Sequence, residues 1–172
     1  MIEAFNFFVF SFAILFGFEA PIISESTSIS INQQEQTITL NYQNLKTFEE
    51  FKNKVLPIID SVNTTSAIHS KITGLTLVSK TQIKTIKNKS ISIKIKYLDK
   101  KSLLENFKID LTNSTIFVHP CEEILINNKD TLRNQEMKYE FIKFNSTSNI
   151  ITIDYKQIQG KNCKDFQNTV DL

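Results

Sequence analysis

Glycine, proline and histidine are scarce in this chain and tryptophan is absent: three Gly, three Pro and two His among 172 residues. Each shortage excludes a chemistry. A phosphate-cradling loop needs clustered glycines so that the backbone can approach the anion, and Gly17, Gly74 and Gly160 stand far apart. The sequence has no Gly-x-Ser-x-Gly turn to present a nucleophile and no His-Glu-x-x-His helix to hold a catalytic metal. His69, in Ser-Ala-Ile-His-Ser, reads as a surface loop residue. No cofactor, metal or catalytic constellation is expected, and neither is a nucleic-acid partner.

Long apolar runs are missing as well, with one exception at the N-terminus. Residues 5–18 are uncharged and include seven phenylalanines, and Glu19, Ala20 and a serine-rich segment follow. Crossing a bilayer takes roughly 20 apolar residues, so this run is too short to span and has the length of a signal-peptide core. The flank in front of it carries Glu3 and no basic residue, and Pro21 hinders a cut directly after Ala20. Residues 1–17 are therefore expected to leave as a signal peptide, with the cut between 17 and 20, and residues 18–172 to form one extracellular domain. That domain is of ordinary size and able to bury a core of its own. No membrane span is expected in the mature chain.

Four Asn-x-Ser/Thr signals, at Asn63, Asn88, Asn113 and Asn145, agree with export. Each lies between apolar segments, where a turn is expected on other grounds, and a glycan has to sit at the surface. The two cysteines follow from the same compartment. The stretch Phe-Val-His-Pro-Cys-Glu-Glu-Ile, residues 117–124, crowds His119, Cys121, Glu122 and Glu123 together, yet the spacing is not that of a zinc site. Pro120 also bends the path that a Cys121–His119 nucleophile pair would need. In an oxidising compartment an even cysteine count reads as a bridge, here Cys121 to Cys163. Closing about 42 residues stabilises by roughly 4 kcal/mol in the chain-entropy argument, and it would tie the C-terminal tail to the body.

The rest of the chain reads mostly as strands. Period-two alternation marks residues 37–40 and, more weakly, 28–31, and residues 75–79, 82–86, 107–111, 115–119, 138–144 and 150–157 read as further strands between turn signals. Residues 90–97 show it best, with Ile91, Ile93, Ile95 and Tyr97 on one side and Ser92, Lys94 and Lys96 on the other. The last two segments are expected to pair as a hairpin around residues 145–149. One helix stands out over about 47–62, opened by a Thr47-Phe-Glu-Glu50 capping box and expected to kink or end near Leu56 at Pro57; a shorter one is expected over 101–106, and residues 127–136 read as an exposed loop. The fold expected is α+β, an antiparallel sheet packed on the 47–62 helix with the tail tied by the disulfide. The alternative is a β-sandwich with a helical insertion.

Charge supplies one functional pointer. The formal net charge is only +2, but residues 80–101 hold eight lysines against the single acid Asp99. On the hairpin expected of residues 82–86 and 90–97, turning at 87–89, Lys84, Lys87, Lys89, Lys94 and Lys96 form an anion-binding candidate. The opposing reading is a solvated face whose lysines keep a sheet edge from pairing with another chain. Two functions follow: a secreted, glycosylated, non-catalytic domain binding an extracellular protein or glycan, or a carrier of a small apolar ligand held among Phe48, Phe51, Ile91, Ile93, Phe117, Phe141 and Phe144.

Overall fold

The computed structural model describes residues 22–60, 74–84, 89–118, 122–127, 129–130, 140–157 and 169–172. These residues are mostly antiparallel β-sheet with two short helices. In chain order they are β1 (Ile23–Asn32), β2 (Thr37–Phe48), a 3-10 turn (Glu49–Phe51), α1 (Lys52–Asp60), β3 (Leu75–Lys84) and β4 (Lys89–Tyr97). Then come α2 (Lys100–Phe107), β5 (Ile109–Asp110), β6 (Thr115–Val118), β7 (Glu122–Ile126), β8 (Lys129–Asp130), β9 (Glu140–Lys143), β10 (Ile150–Gln157) and β11 (Thr169–Asp171). The large sheet runs β3-β4-β2-β1-β10-β7-β8, with β11 pairing β2, and a small sheet runs β5-β6-β9.

Alternation along the strands builds the core. Register carries three inward rows across the large sheet: Ile95, Ile38, Ile31 and Ile151; Ile93, Leu40, Ile29, Ile153 and Ile126; and Ile91, Tyr42, Thr27, Tyr155 and Ile124. All are buried. Branched side chains suit this pleated, half-covered surface, and each fully buried Ile or Leu stabilises by roughly 1.5–3 kcal/mol. Ile109, Ile116 and Val118 of the small sheet, Leu103 and Phe107 of α2, and Val55 and Ile59 of α1 join the same apolar cluster.

Near one end β1 and β2 change faces together. Asn44 adopts φ 51°, its side-chain amide donates to Glu25 Oε2 at 2.8 Å and its backbone N–H donates to Ser90 Oγ at 3.3 Å. Beyond this point Ser24, Leu45 and Thr47 turn inward instead.

Several expectations need correcting. Thr47 does not open a helix: it lies buried in β2 opposite Val170 of β11, and the 3-10 turn starts from Phe48 without a side-chain cap. Pairing with a third strand outweighs the local capping pattern there. Pro57 does not end the helix, which runs on to Asp60. The carbonyl it deprives of a partner is that of exposed Asn53, within reach of water. The expected hairpin of the last two long segments is absent too: β9 pairs β6, whereas β10 pairs β1 and β7. Gln33 helps to hold the connection between them, its side-chain amide donating to the carbonyls of Ser146 and Ser148 at 2.7 and 2.8 Å. Residues 75–84 form one strand with a bulge between Leu77 and Ser79, and part of the stretch read as a loop after Asn127 supplies β8.

The short helix is close to its expected place. Asp99 caps α2 by accepting from the N–H of Ser102, and Lys108 closes it in the left-handed conformation. Gly74, at φ 81°, lies so close to Ser102 that a Cβ would collide with its hydroxyl.

Candidate binding surface

The outward side of the large sheet carries the polar half of every alternating strand. Crossing it in register are Lys94, Thr39, Ser30 and Thr152; then Ser92, Asn41, Ser28, Asp154 and Leu125; then Gln43, Ser26, Lys156 and Glu123. None of these residues is buried. They are hydroxyls, amides and charges, with Leu125 the one apolar side chain among them.

At the β4 end this surface is internally bonded. Ser92 Oγ donates to Asn41 Oδ1 at 2.6 Å. Lys94 Nζ reaches Glu35 Oε2 at 3.2 Å, whereas Lys89, in line with inward Ile91 and Ile93, pairs with Asp60 of α1 at 3.0 Å. Lys101 pairs with Glu105 one helical turn on, at 3.4 Å. Lys96 and Lys100 are exposed. The lysine cluster read from the sequence is thus divided: three of its ammonium groups each hold a carboxylate, two stand in solvent, the backbones of Lys80 and Lys84 lie in β3, and Lys87 is outside the described residues.

At the β1–β10 end the arrangement differs. Ser26 and Ser28, short outward side chains, lie between longer neighbours on β2 and β10, and a hollow of about 220 Å³ opens over them. Gln43 borders it on one side, Asp154, Lys156, Glu123 and Leu125 on the other. Ser26 Oγ donates to Gln43 Oε1 at 3.1 Å. Lys156 lies opposite Glu123 in register and next but one to Asp154, yet the ion pairs of the described residues all lie elsewhere. Sequence reasoning did not single out these residues. The signal was present in Ser26-x-Ser28-x-Ser30, a period-two serine series that puts small hydroxyl groups in line along one face of β1.

Of the remaining expected site residues, Asn113 and Asn145 lie in exposed turns. The Asn113 side chain donates to Asp110 Oδ2 at 2.7 Å, and Asn145 Oδ1 accepts from the N–H and hydroxyl of Thr147 at 3.0 and 2.7 Å. The serines that follow each asparagine, Ser114 and Ser146, touch hydroxyl to hydroxyl at 2.6 Å. Asn63, Asn88, His69, His119, Cys121 and Cys163 lie outside the described residues. Of the apolar set proposed for a carrier, Ile91 and Ile93 are in the core and Phe51 and Phe144 pack against it, while Phe117 and Phe141 form an edge-to-face pair, 5.3 Å between centroids, in which Phe141 is 64% exposed.

Among the described residues no group of three or more His, Cys, Asp or Glu could hold a metal ion, and no helix is long and apolar enough to cross a membrane. Compared with known proteins, the chain matches no family model, no curated protein and no solved structure.

Proposed function

We propose that this is a secreted, N-glycosylated, non-catalytic binding domain that meets an extracellular protein or glycan through the outward side of its large sheet, the lysine-rich hairpin forming one end of that surface. The observation that carries the reading is the outward rows themselves: a broad, hydrogen-bonding side with no buried member. Placed polar groups at a binding site fix a ligand's orientation and give specificity.

Export is compatible with the described core. Ile22 and Ile23 are each 2% exposed, so a cut anywhere between residues 17 and 20 removes the phenylalanine-rich leader and keeps every core residue among the described ones. The Cys121–Cys163 bridge is supported by register. Gln157 pairs Glu122, the neighbour of Cys121, and Cys163 follows Gln157 by six residues, a span of at most ~20 Å. Because β11 pairs β2, a bridge there would tie down the connection between two strands that the sheet already holds.

An acidic partner is recognised here by few free charges. Salt-gradient elution from immobilised heparin checks this: Lys96→Ser is expected to elute at lower salt than the natural chain, and Lys94→Ser to shift less, because the Lys94 ammonium is already held by Glu35. Equal shifts for both would mean that the lysines act as an undivided patch. Intact mass and N-terminal sequencing of the natural product test export. A product that kept residues 1–17 and carried two free thiols would overturn both the compartment and the bridge.

A further inference from the structure

We infer that the hollow over Ser26 and Ser28 is a subsite for one neutral, polyhydroxylated ring, a single saccharide unit of a glycan; this rests on the binding-domain reading and gives it a ligand class. The hollow measures about 220 Å³, below the roughly 300–1,000 Å³ of sites for drug-sized ligands, so it takes one ring and not a chain. Its lining is mixed. Ser26 and Ser28 donate and accept, the Gln43 amide does both, Asp154 and Glu123 only accept, and Lys156 only donates. Sugar hydroxyls are themselves both donors and acceptors, so each can be matched here.

The charges argue against other occupants. Two carboxylates facing one ammonium disfavour a sulfated or phosphorylated ligand. A metal would need a third carboxylate or a histidine, and among the described residues no such group exists. No aromatic ring faces outward in these rows for a nucleobase to stack on. Leu125 supplies the small apolar contact that the C–H side of a sugar ring wants.

The second observation is what the charged side chains leave undone. Along β4, Lys94 and Lys89 reach across to carboxylates. Around the hollow, Asp154, Lys156 and Glu123 stand in neighbouring register positions on β10 and β7 without closing an ion pair among the described residues. Carboxylate-to-hydroxyl bonds are short and stronger than neutral ones, and these carboxylates have that capacity to give. Asp154 is the only half-buried charge of the three, so it is placed as the main acceptor of ring hydroxyls, with Gln43 across β1 in the next row, opposite Lys156.

The secreted full-length chain is titrated with mannose, galactose and N-acetylglucosamine oligomers by ligand-observed NMR, at physiological and at high salt, and then with heparin. Binding of at least one neutral sugar, insensitive to salt, is expected. Ser28→Leu, which fills the hollow from a surface position, and Asp154→Asn should each weaken it tenfold or more, whereas Thr39→Leu on the same side should leave it unchanged, all with unaltered unfolding midpoints. Neutral sugars giving no signal, or signals indifferent to both hollow variants, would overturn the subsite. Retention of heparin alone, abolished by Lys96→Ser, would overturn the subsite while leaving the binding-domain reading intact.

Discussion

Strands β1, β2, β4 and β10 each contribute to two surfaces that obey opposite rules. On the inward side, position is enforced by packing: Ile29 and Ile153 are fully buried and face one another in register. On the outward side, one residue along, Ser28 faces Asp154 and nothing is enforced except pairing of polar groups. That outward side then divides again, into a β4 end where lysines hold carboxylates and a β1–β10 end where charges stand apart around a hollow. A count of lysines along the chain places the interesting charge on β4. The structure shows that neighbours hold part of it, and that further uncommitted charge lies across β10 and β7.

The contrast between the two sides is broken or sharpened first by truncation. Ile153→Ala should cost about 2–5 kcal/mol, the range for emptying a packed aliphatic site. Asp154→Ala, at the next residue, should stay within about 0.5 kcal/mol. Urea unfolding of the two variants reads the difference, and similar losses would mean that the outward row is structural after all.

A smaller effect separates hydrogen-bonded positions from packed ones by pH. The Ser102 backbone N–H and hydroxyl, each 2.8 Å from Asp99 Oδ1, hold the Asp99 carboxyl below its ordinary value. The Asn113 backbone N–H and side chain do the same for Asp110. Both groups are charged more readily in the folded state than in the unfolded one. The stability they contribute is therefore complete above the ordinary aspartate value of 3.8 and is lost as the pH falls through their lowered folded values. Asparagine caps helices about as well as aspartate but does not titrate. The stability difference between the natural chain and Asp99→Asn should thus shrink on acidification. A gap that stays constant from neutral pH to below 3.8 would show that the carboxyl contributes nothing as an anion.

How much of this was legible follows from range along the chain. The Ile91, Ile93, Ile95 and Tyr97 ladder is a local pattern, and all four are buried as the alternation implies; residues 150–157 form β10 with the bounds read from the sequence. Strand partners are not local. Nothing in residues 138–157 says that β9 belongs with β6, 25 residues earlier, and that β10 belongs with β1, more than a hundred residues earlier. Thr47-Phe-Glu-Glu satisfies a capping rule and also β propensity, and the choice between them is made by β11. The hollow was illegible for the same reason: its walls come from β2, β7 and β10, and only the serine series of β1 was written in one place.

The faintest effect tests whether the β4 lysines are committed. Lys94 and Glu35 have side chains 39% and 56% exposed, so solvent and side-chain entropy offset most of their attraction, and an exposed pair of this kind is worth about 0.2–1 kcal/mol. Lys94→Ser should lower stability by that much in dilute buffer and by almost nothing at high salt, where the charges are screened. Lys96→Ser, exposed on the same strand, should change stability in neither buffer. If the two variants behave alike, the ion pair is not formed in solution, the β4 end is as uncommitted as the β10 end, and the outward side becomes a single surface with Lys94 among its free groups.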